Sequence, residues 1–275
     1  MKILKNKKAL VIIIWLCVIL ALLVGVFLTK TPDLKHESIK EVMRDAVLHE
    51  SNRISLFGIM EVNPGFISAL VVSVSLLLFA AIIRIFVIPR FKIMPGRFQM
   101  ALEKLVMFFT DFAKENSPHR YGFLSVYIFG AGTYIFCGTV FELLGIQAIT
   151  THGSPIALPA PLSDINGAIA MGCLSYLVML SGGFVESRLK GIGKGLKDFS
   201  MPLSMSFRLF GAMLSGVLVT ELVYYYKALS FVLPVFIGVL FTLLHALVQT
   251  YVLIILTSMT YGELTEPTNK KIKRA

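Results

Sequence analysis

The stretch Ala228-Leu-Ser-Phe-Val-Leu-Pro-Val-Phe-Ile-Gly-Val-Leu-Phe-Thr-Leu-Leu-His-Ala-Leu-Val-Gln-Thr-Tyr-Val-Leu-Ile-Ile-Leu-Thr-Ser-Met-Thr-Tyr261 runs for 34 residues without Asp, Glu, Lys or Arg. A helix crossing the hydrocarbon layer of a bilayer needs about 20 such residues. In lipid the backbone must satisfy its own hydrogen bonds, so a run this long reads as a helix and not as a strand. Its excess length predicts a helix that tilts, bends or extends past the bilayer.

Working outward, a second run over 201–226 ends almost where this one begins, which predicts a helical hairpin. Four more runs lie upstream, at about 9–28, 66–88, 122–146 and 165–185. Only 15% of the 275 residues are charged and 56% are hydrophobic, against about 25% charged in soluble domains. The fold expected is all-α: a polytopic membrane protein with about six transmembrane segments, the last two long helices forming a tilted hairpin. The first run follows the basic Met-Lys-Ile-Leu-Lys-Asn-Lys-Lys. Its uncharged stretch is long for a signal peptide and no small-x-small cleavage site follows Phe27-Leu28-Thr29-Lys30, so it reads as a retained anchor.

The net charge of +10 is a topology signal rather than a nucleic-acid patch, because the basic residues sit in short loops and at the termini. With both termini in the cytoplasm, 18 of the 26 Lys and Arg fall on that side, six outside, and Arg84 and Arg208 within spans. The segment 147–164 has none and is assigned to the outside. Anionic lipid headgroups, not nucleic acid, are the expected partners of this charge. Cys17, Cys137 and Cys173 all lie in apolar runs without metal-ligand or disulfide spacing and read as small packing residues. Between spans, 98–116 differs. Phe98, Leu102, Leu105, Phe109 and Phe112 form a helical stripe among Glu103, Lys104, Asp111, Lys114 and Glu115. This predicts an amphipathic helix on the cytoplasmic side, interfacial or packed on the bundle. Segment 33–60 mixes charged and apolar residues as a short external helix would.

A charge inside a bilayer is costly and demands a reason. Arg84 lies close enough to a span end to snorkel, and Glu186 ends its span. Arg208 sits deeper, among Ser204, Ser206, Gly211, Ala212, Ser215 and Gly216, small residues that admit a close helical neighbour. An arginine stays protonated, so a fixed positive charge there suits an ion barrier or a carboxylate partner. With the hairpin turn at 228, Arg208 lies 20 residues before it and Gln249 lies 21 after it, which places the two at similar depth. Thr242, His245 and Gln249 form a polar stripe on one helical face. Glu142, Asp164 and Glu221 fall in the outer half of their spans, where each suits an aqueous inlet or a structural pair. Asp164 also suits the N-cap of its helix. His152 falls in the outer loop. No Walker loop, Gly-x-Ser-x-Gly, His-Glu-x-x-His or cysteine pair is present. The Gly-Ile-Gly-Lys-Gly at 191–195 lacks the context of a phosphate loop and reads as a flexible connection.

Pro202-Leu-Ser-Met-Ser-Phe-Arg-Leu-Phe-Gly-Ala-Met-Leu-Ser-Gly216 resembles the signature of subunit a of F-type ATP synthases. That signature places an essential stator arginine at Arg208, and the family's glutamine of the last helix at Gln249, within Leu243-Leu-His-Ala-Leu-Val-Gln-Thr-Tyr251. Pro161-Leu-Ser-Asp-Ile-Asn166 is similar to the family's Pro-x-Ala-Asp-x-Asn. Pro95-Gly-Arg-Phe-Gln99 is similar to its Pro-Gly-x-x-Gln loop. The resemblance covers about 64–262. Three positions depart from it: the family's asparagine after Leu-Phe-Gly is Ala212, its frequent glutamate nine residues after the arginine is Val217, and its Asn-Leu-x-Gly/Asp-Leu region reads Glu142-Leu-Leu-Gly-Ile146. Glu221, one turn beyond Val217, is positioned to take over the glutamate's task.

The resemblance implies an ion-translocating stator subunit in a bacterial cell membrane, with the c-ring, the peripheral-stalk subunit b and the rest of the synthase as partners. It implies no catalysis by the chain itself and no cofactor. Ions would pass along Glu221, Glu142, Asp164, Thr242, His245 and Gln249 to a ring carboxylate, with Arg208 pairing with that carboxylate and separating two half-channels. It divides the chain into an anchor with an external segment (1–64), the ion-channel domain (65–262) and a basic tail (263–275). It does not decide proton against sodium. A secondary transporter holding an anion on Arg208 is the alternative, and it predicts repeats or broken helices in both halves. An intramembrane enzyme using His245 and Glu221 lacks a nucleophile or metal set.

Overall fold

The computed structural model describes residues 54–56, 60–149, 151, 155–187, 189–225 and 233–266, with scattered positions between 13 and 40. The anchor run 9–28, the external segment 33–60, the hairpin turn at 228, His152 and the tail beyond 266 lie wholly or largely outside these residues.

A short antiparallel pair, β1 (Ile54–Leu56) and β2 (Met60–Val62), leads into α1 (Pro64–Ile82). Asn63 caps α1 by accepting a 3.0 Å hydrogen bond from the Gly65 N–H, and Pro64 occupies the first turn, where its missing N–H is harmless. The helix widens into a π turn over Ile83–Val87 and closes with a 3₁₀ turn at Ile88–Arg90. Pro89 has no N–H to continue the ladder, and the chain turns there. Next come α2 (Arg97–Asn116) and α3 (Tyr121–Phe141), the latter extended by a 3₁₀ turn at Glu142–Leu144. Gly145 follows at φ 59°, a left-handed conformation that only glycine adopts without strain, and sends the chain into the hairpin β3 (Gln147–Ile149) and β4 (Pro155–Ala157). The remaining helices are α4 (Ile165–Ser187), the short α5 (Leu189–Gly195), α6 (Ser200–Tyr225) and α7 (Leu233–Thr265).

Five of these helices are long and apolar enough to cross a membrane. They match the runs at 66–88, 122–146, 165–185, 201–226 and 228–261 within a few residues at each end. The long α7 is the axis of the bundle and packs against α3, α4 and α6. Its buried Leu253, Ile254, Tyr261 and Leu264 meet Ile128 and Ile135 of α3 and Met179 of α4 in one core. The crossing of α4 on α6 is close because residue 172 is glycine: a Cβ there would stand 2.8 Å from the Pro202 carbonyl oxygen. Away from the core, α1 presents Leu70, Val74, Leu77, Leu78 and Ile85 outward, as a lipid-facing helix does.

The stripe on α2 packs along half its length only. Phe109 is buried and Phe112 half-buried, but Phe98 and Leu105 stand exposed. The C-terminal end alone meets the bundle, where Asn116 lies on Gly262 and Ser117 shares a 3.1 Å hydrogen bond with Thr265.

Candidate ion-translocation site

Arg208 lies in the first half of α6, nine residues into the helix, on a face that the bundle leaves exposed. Met205, three residues before it, and Leu209, the next residue after it, are buried and fix the rotation of the helix. Across from it Gln249 of α7 is buried at 6% exposure. Both side chains line one crevice of about 180 Å³, closed by Met205, Leu209, Val252, Leu253 and Leu256. Arg208 and Gln249 therefore meet at one level, as their near-equal sequence distances from residue 228 predict. The crevice holds no carboxylate, and Arg208 has no ion-pair partner among the described residues. The Gln249 Oε1 is buried without a hydrogen-bond donor among them.

Beyond this crevice α7 presents His245 one turn away. The imidazole stacks on Phe241 with ring centroids 5.0 Å apart, and its Nδ1 lies 2.9 Å from the Phe241 carbonyl oxygen. A carbonyl only accepts, so the Nδ1 carries the proton in the neutral ring and Nε2 keeps its lone pair. His245 lines a second space of about 290 Å³ together with Thr139, Glu142, Ala212, Met213, Gly216, Thr220, Phe241 and Thr242. Two of its hydroxyls are committed as donors to the helix backbone: Thr139 to Ile135 at 2.7 Å and Thr220 to Gly216 at 2.9 Å.

A third and larger space, of about 1430 Å³, opens beyond the second. Glu221 and Tyr224 of α6, Val217, Gly238 and Val239 of the hairpin, and the β4 connection Ile156–Pro159 line it. Glu142, Thr220 and Thr242 line both spaces, so these three side chains form the junction between them. The Lys- and Arg-free segment 147–164 borders the large space. The structure thus gathers Glu221, Glu142, Thr242 and His245 around two adjoining spaces, with the separate crevice of Gln249 and Arg208 one turn further along α7.

Asp164 stands apart from this group. Its Oδ1 accepts from the Asn166 backbone N–H at 3.2 Å and from the Asn166 side-chain amide at 3.3 Å, and it lines none of the three spaces. Of its expected roles, the one these contacts fill is the cap of α4. Thr139, Thr220 and Tyr224 belong to the linings and were not singled out from sequence. For Thr139 and Tyr224 the signal was the helical repeat around the carboxylates: Thr139 precedes Glu142 by three residues and Tyr224 follows Glu221 by three.

The family model described as ATP synthase A chain matches residues 67–261. Among curated relatives, the ATP synthase subunit a of Cereibacter sphaeroides strain ATCC 17025 is 28% identical over 180 residues, covering 61% of this chain and 69% of the relative. The same subunit from strain ATCC 17029 matches to the same extent. The Propionigenium modestum protein named ATP synthase subunit a, sodium ion specific, is 30% identical over 114 residues, or 37% of this chain and 39% of that protein.

Proposed function

Since the chain belongs to the ATP synthase A chain family, and is thus a multi-pass, ion-translocating subunit of the membrane sector, we propose that Arg208 is its stator charge and that the two spaces joined at Glu142, Thr220 and Thr242 are its outer half-channel, leading toward the crevice at Gln249. Ions enter the large space beside Glu221 and pass the Glu142–Thr220–Thr242 junction. They then run by His245 to the level of Gln249, where a carboxylate of the c-ring is loaded. Arg208 pairs with that carboxylate when it is unloaded and blocks direct passage to the other side. Rotation of the ring carries the ion to an inner exit. The chain makes no bond to ATP; it works with the c-ring, the peripheral-stalk subunit b and the surrounding lipid in a bacterial cell membrane, with both termini in the cytoplasm.

The observation that carries this reading is the setting of Arg208. A guanidinium within a membrane-spanning helix is costly unless it is paired or reaches water. Among the described residues no carboxylate offsets that cost, and the side chain faces outward from the bundle. A partner carboxylate outside the chain completes the arrangement. Exposed Leu203, Phe207 and Gly211 surround Arg208 and supply an apolar surface for a passing helix, with Gly211 admitting close approach.

Cross-linking tests the reading. With Cys17, Cys137 and Cys173 replaced by alanine, Phe207→Cys should form a disulfide with a cysteine placed one turn from the ring carboxylate. A cysteine at Leu77, on the outer face of α1, should not. Cross-linking from Leu77 but not from Phe207 would put the ring on the wrong face and end the proposal.

A further inference from the structure

The corner between α1 and α2 carries a feature that ion passage does not use. The segment Phe91-Lys-Ile-Met-Pro-Gly96 turns the chain by way of Gly96, whose extended backbone caps α2. Its two central aliphatic side chains point away from the protein: Ile93 is 103% exposed and Met94 is 88% exposed. Isolated exposed leucines or isoleucines are ordinary, but here the loop is held in place. Gln99, in the first turn of α2, reaches back to Lys92, accepting from its N–H at 3.1 Å and donating to its carbonyl at 3.0 Å. The remaining amide hydrogen goes to Glu103 at 2.8 Å. The Pro-Gly-x-x-Gln pattern noted in the sequence is therefore a clamp. Its glutamine replaces the missing strand partner of the loop and fixes Ile93 and Met94 outward.

Charge surrounds those two residues. Arg84, Arg90, Lys92 and Arg97 lie within the corner, and residues 83–98 contain no acidic side chain. None of the four has an ion-pair partner among the described residues. Glu103, the nearest carboxylate in sequence, is engaged by Gln99. The corner lies at the end of a membrane-spanning helix. A clamped loop that exposes two apolar side chains, flanked in sequence by four unpaired cations, has the composition of an interfacial anchor, with apolar tips in the acyl boundary and cations at phosphate level.

We propose that this corner is a binding site for anionic phospholipid. Ile93 and Met94 enter the acyl region of the leaflet, Arg84, Arg90, Lys92 and Arg97 hold the headgroup phosphates, and Gln99 keeps the two sets in register. The site is independent of the route taken by the translocated ion. Near a membrane surface each basic residue contributes roughly a fivefold preference for anionic lipid, so removal of three is a large and readable change.

The test uses the assembled complex, with accessible cysteines removed and Ile93→Cys carrying a bimane fluorophore, in bilayers containing phosphatidylcholine and phosphatidylglycerol. Doxyl-labelled phosphatidylglycerol should quench the fluorophore at least about threefold more efficiently than doxyl-labelled phosphatidylcholine. Arg90→Gln, Lys92→Gln and Arg97→Gln together should remove the preference while leaving quenching by either lipid in place. Gln99→Leu should weaken the preference with all four cations present. Three outcomes overturn the proposal. Equal quenching by both lipids means immersion without a headgroup site. Quenching by aqueous iodide and not by lipid means a loop in water. Protection from both means that another subunit covers the corner.

Discussion

Replacing Glu142 with glutamine separates the two spaces of the outer path without changing the size of the side chain. Glu142 is the one carboxylate that lines both the large space and the narrow one, whereas Glu221 lines the large space alone. The large space is wide enough to hold many waters, so a charge on its wall acts through a water-like dielectric. At ~4 Å that is worth about 1 kcal/mol, or roughly fivefold in flux. The narrow space of about 290 Å³ is walled by Met213, Phe241 and three threonines. There an effective dielectric of ~20 raises the same charge to about 4 kcal/mol, and a proton relay would lose about 10²-fold or more. For either ion, Glu142→Gln should lower transport at least tenfold, or ~1.4 kcal/mol of barrier, and Glu221→Gln by no more than about fivefold. The assay is ATP-driven ion uptake by inverted vesicles, normalised to assembled complex. Equal damage from the two variants would refute the reasoning, as would wild-type uptake by Glu142→Gln.

Other expectations follow from single contacts. Asp164→Ala should destabilise α4 by about 0.5–2 kcal/mol through loss of its cap, lowering the yield of complex while transport per assembled complex holds; a large transport defect at normal yield would return Asp164 to the inlet. Gly172→Val places a branched side chain against the Pro202 carbonyl, where a Cβ alone already stands at 2.8 Å. Thermal unfolding of the complex should report a loss of about 1–3 kcal/mol, and an unchanged melting curve would show that the α4–α6 crossing is looser than described. Tyr127→Phe removes the 2.6 Å hydrogen bond to Ser175 between α3 and α4. Such bonds in membranes average about 0.6 kcal/mol, so the variant should assemble normally, and failure to assemble would assign the pair a larger part in holding the bundle.

The spans were legible because lipid imposes a length and forbids unpaired backbone, and both constraints can be counted along the chain. The meeting of Arg208 with Gln249 was legible for a similar reason: a hairpin of straight helices pairs residues at equal distances from its turn. The junction at Glu142 was not. It depends on the height at which α3 crosses α6 and α7, which is set by side-chain contacts such as Gly132 against Ile254 rather than by any local pattern. Asp164 offered two roles from sequence, and only the position of the Asn166 N–H selected the cap. The α2 stripe marked a helix but not what covers each half of it, because periodicity reports that a face is apolar and nothing more. Gln99 was visible as part of a motif, but its bonds to Lys92 span seven residues around a corner and have no signature in composition.

The central claim is that Arg208 acts on a carboxylate outside the chain. It is tested most directly by ATP-driven ion pumping in inverted membrane vesicles, comparing wild type with Arg208→Ala after assembly of both complexes has been verified. The account predicts that pumping is lost while the complex remains assembled, because among the described residues no other cation lines the crevice at Gln249. Normal pumping by Arg208→Ala would contradict it, and the transporter reading would then take its place.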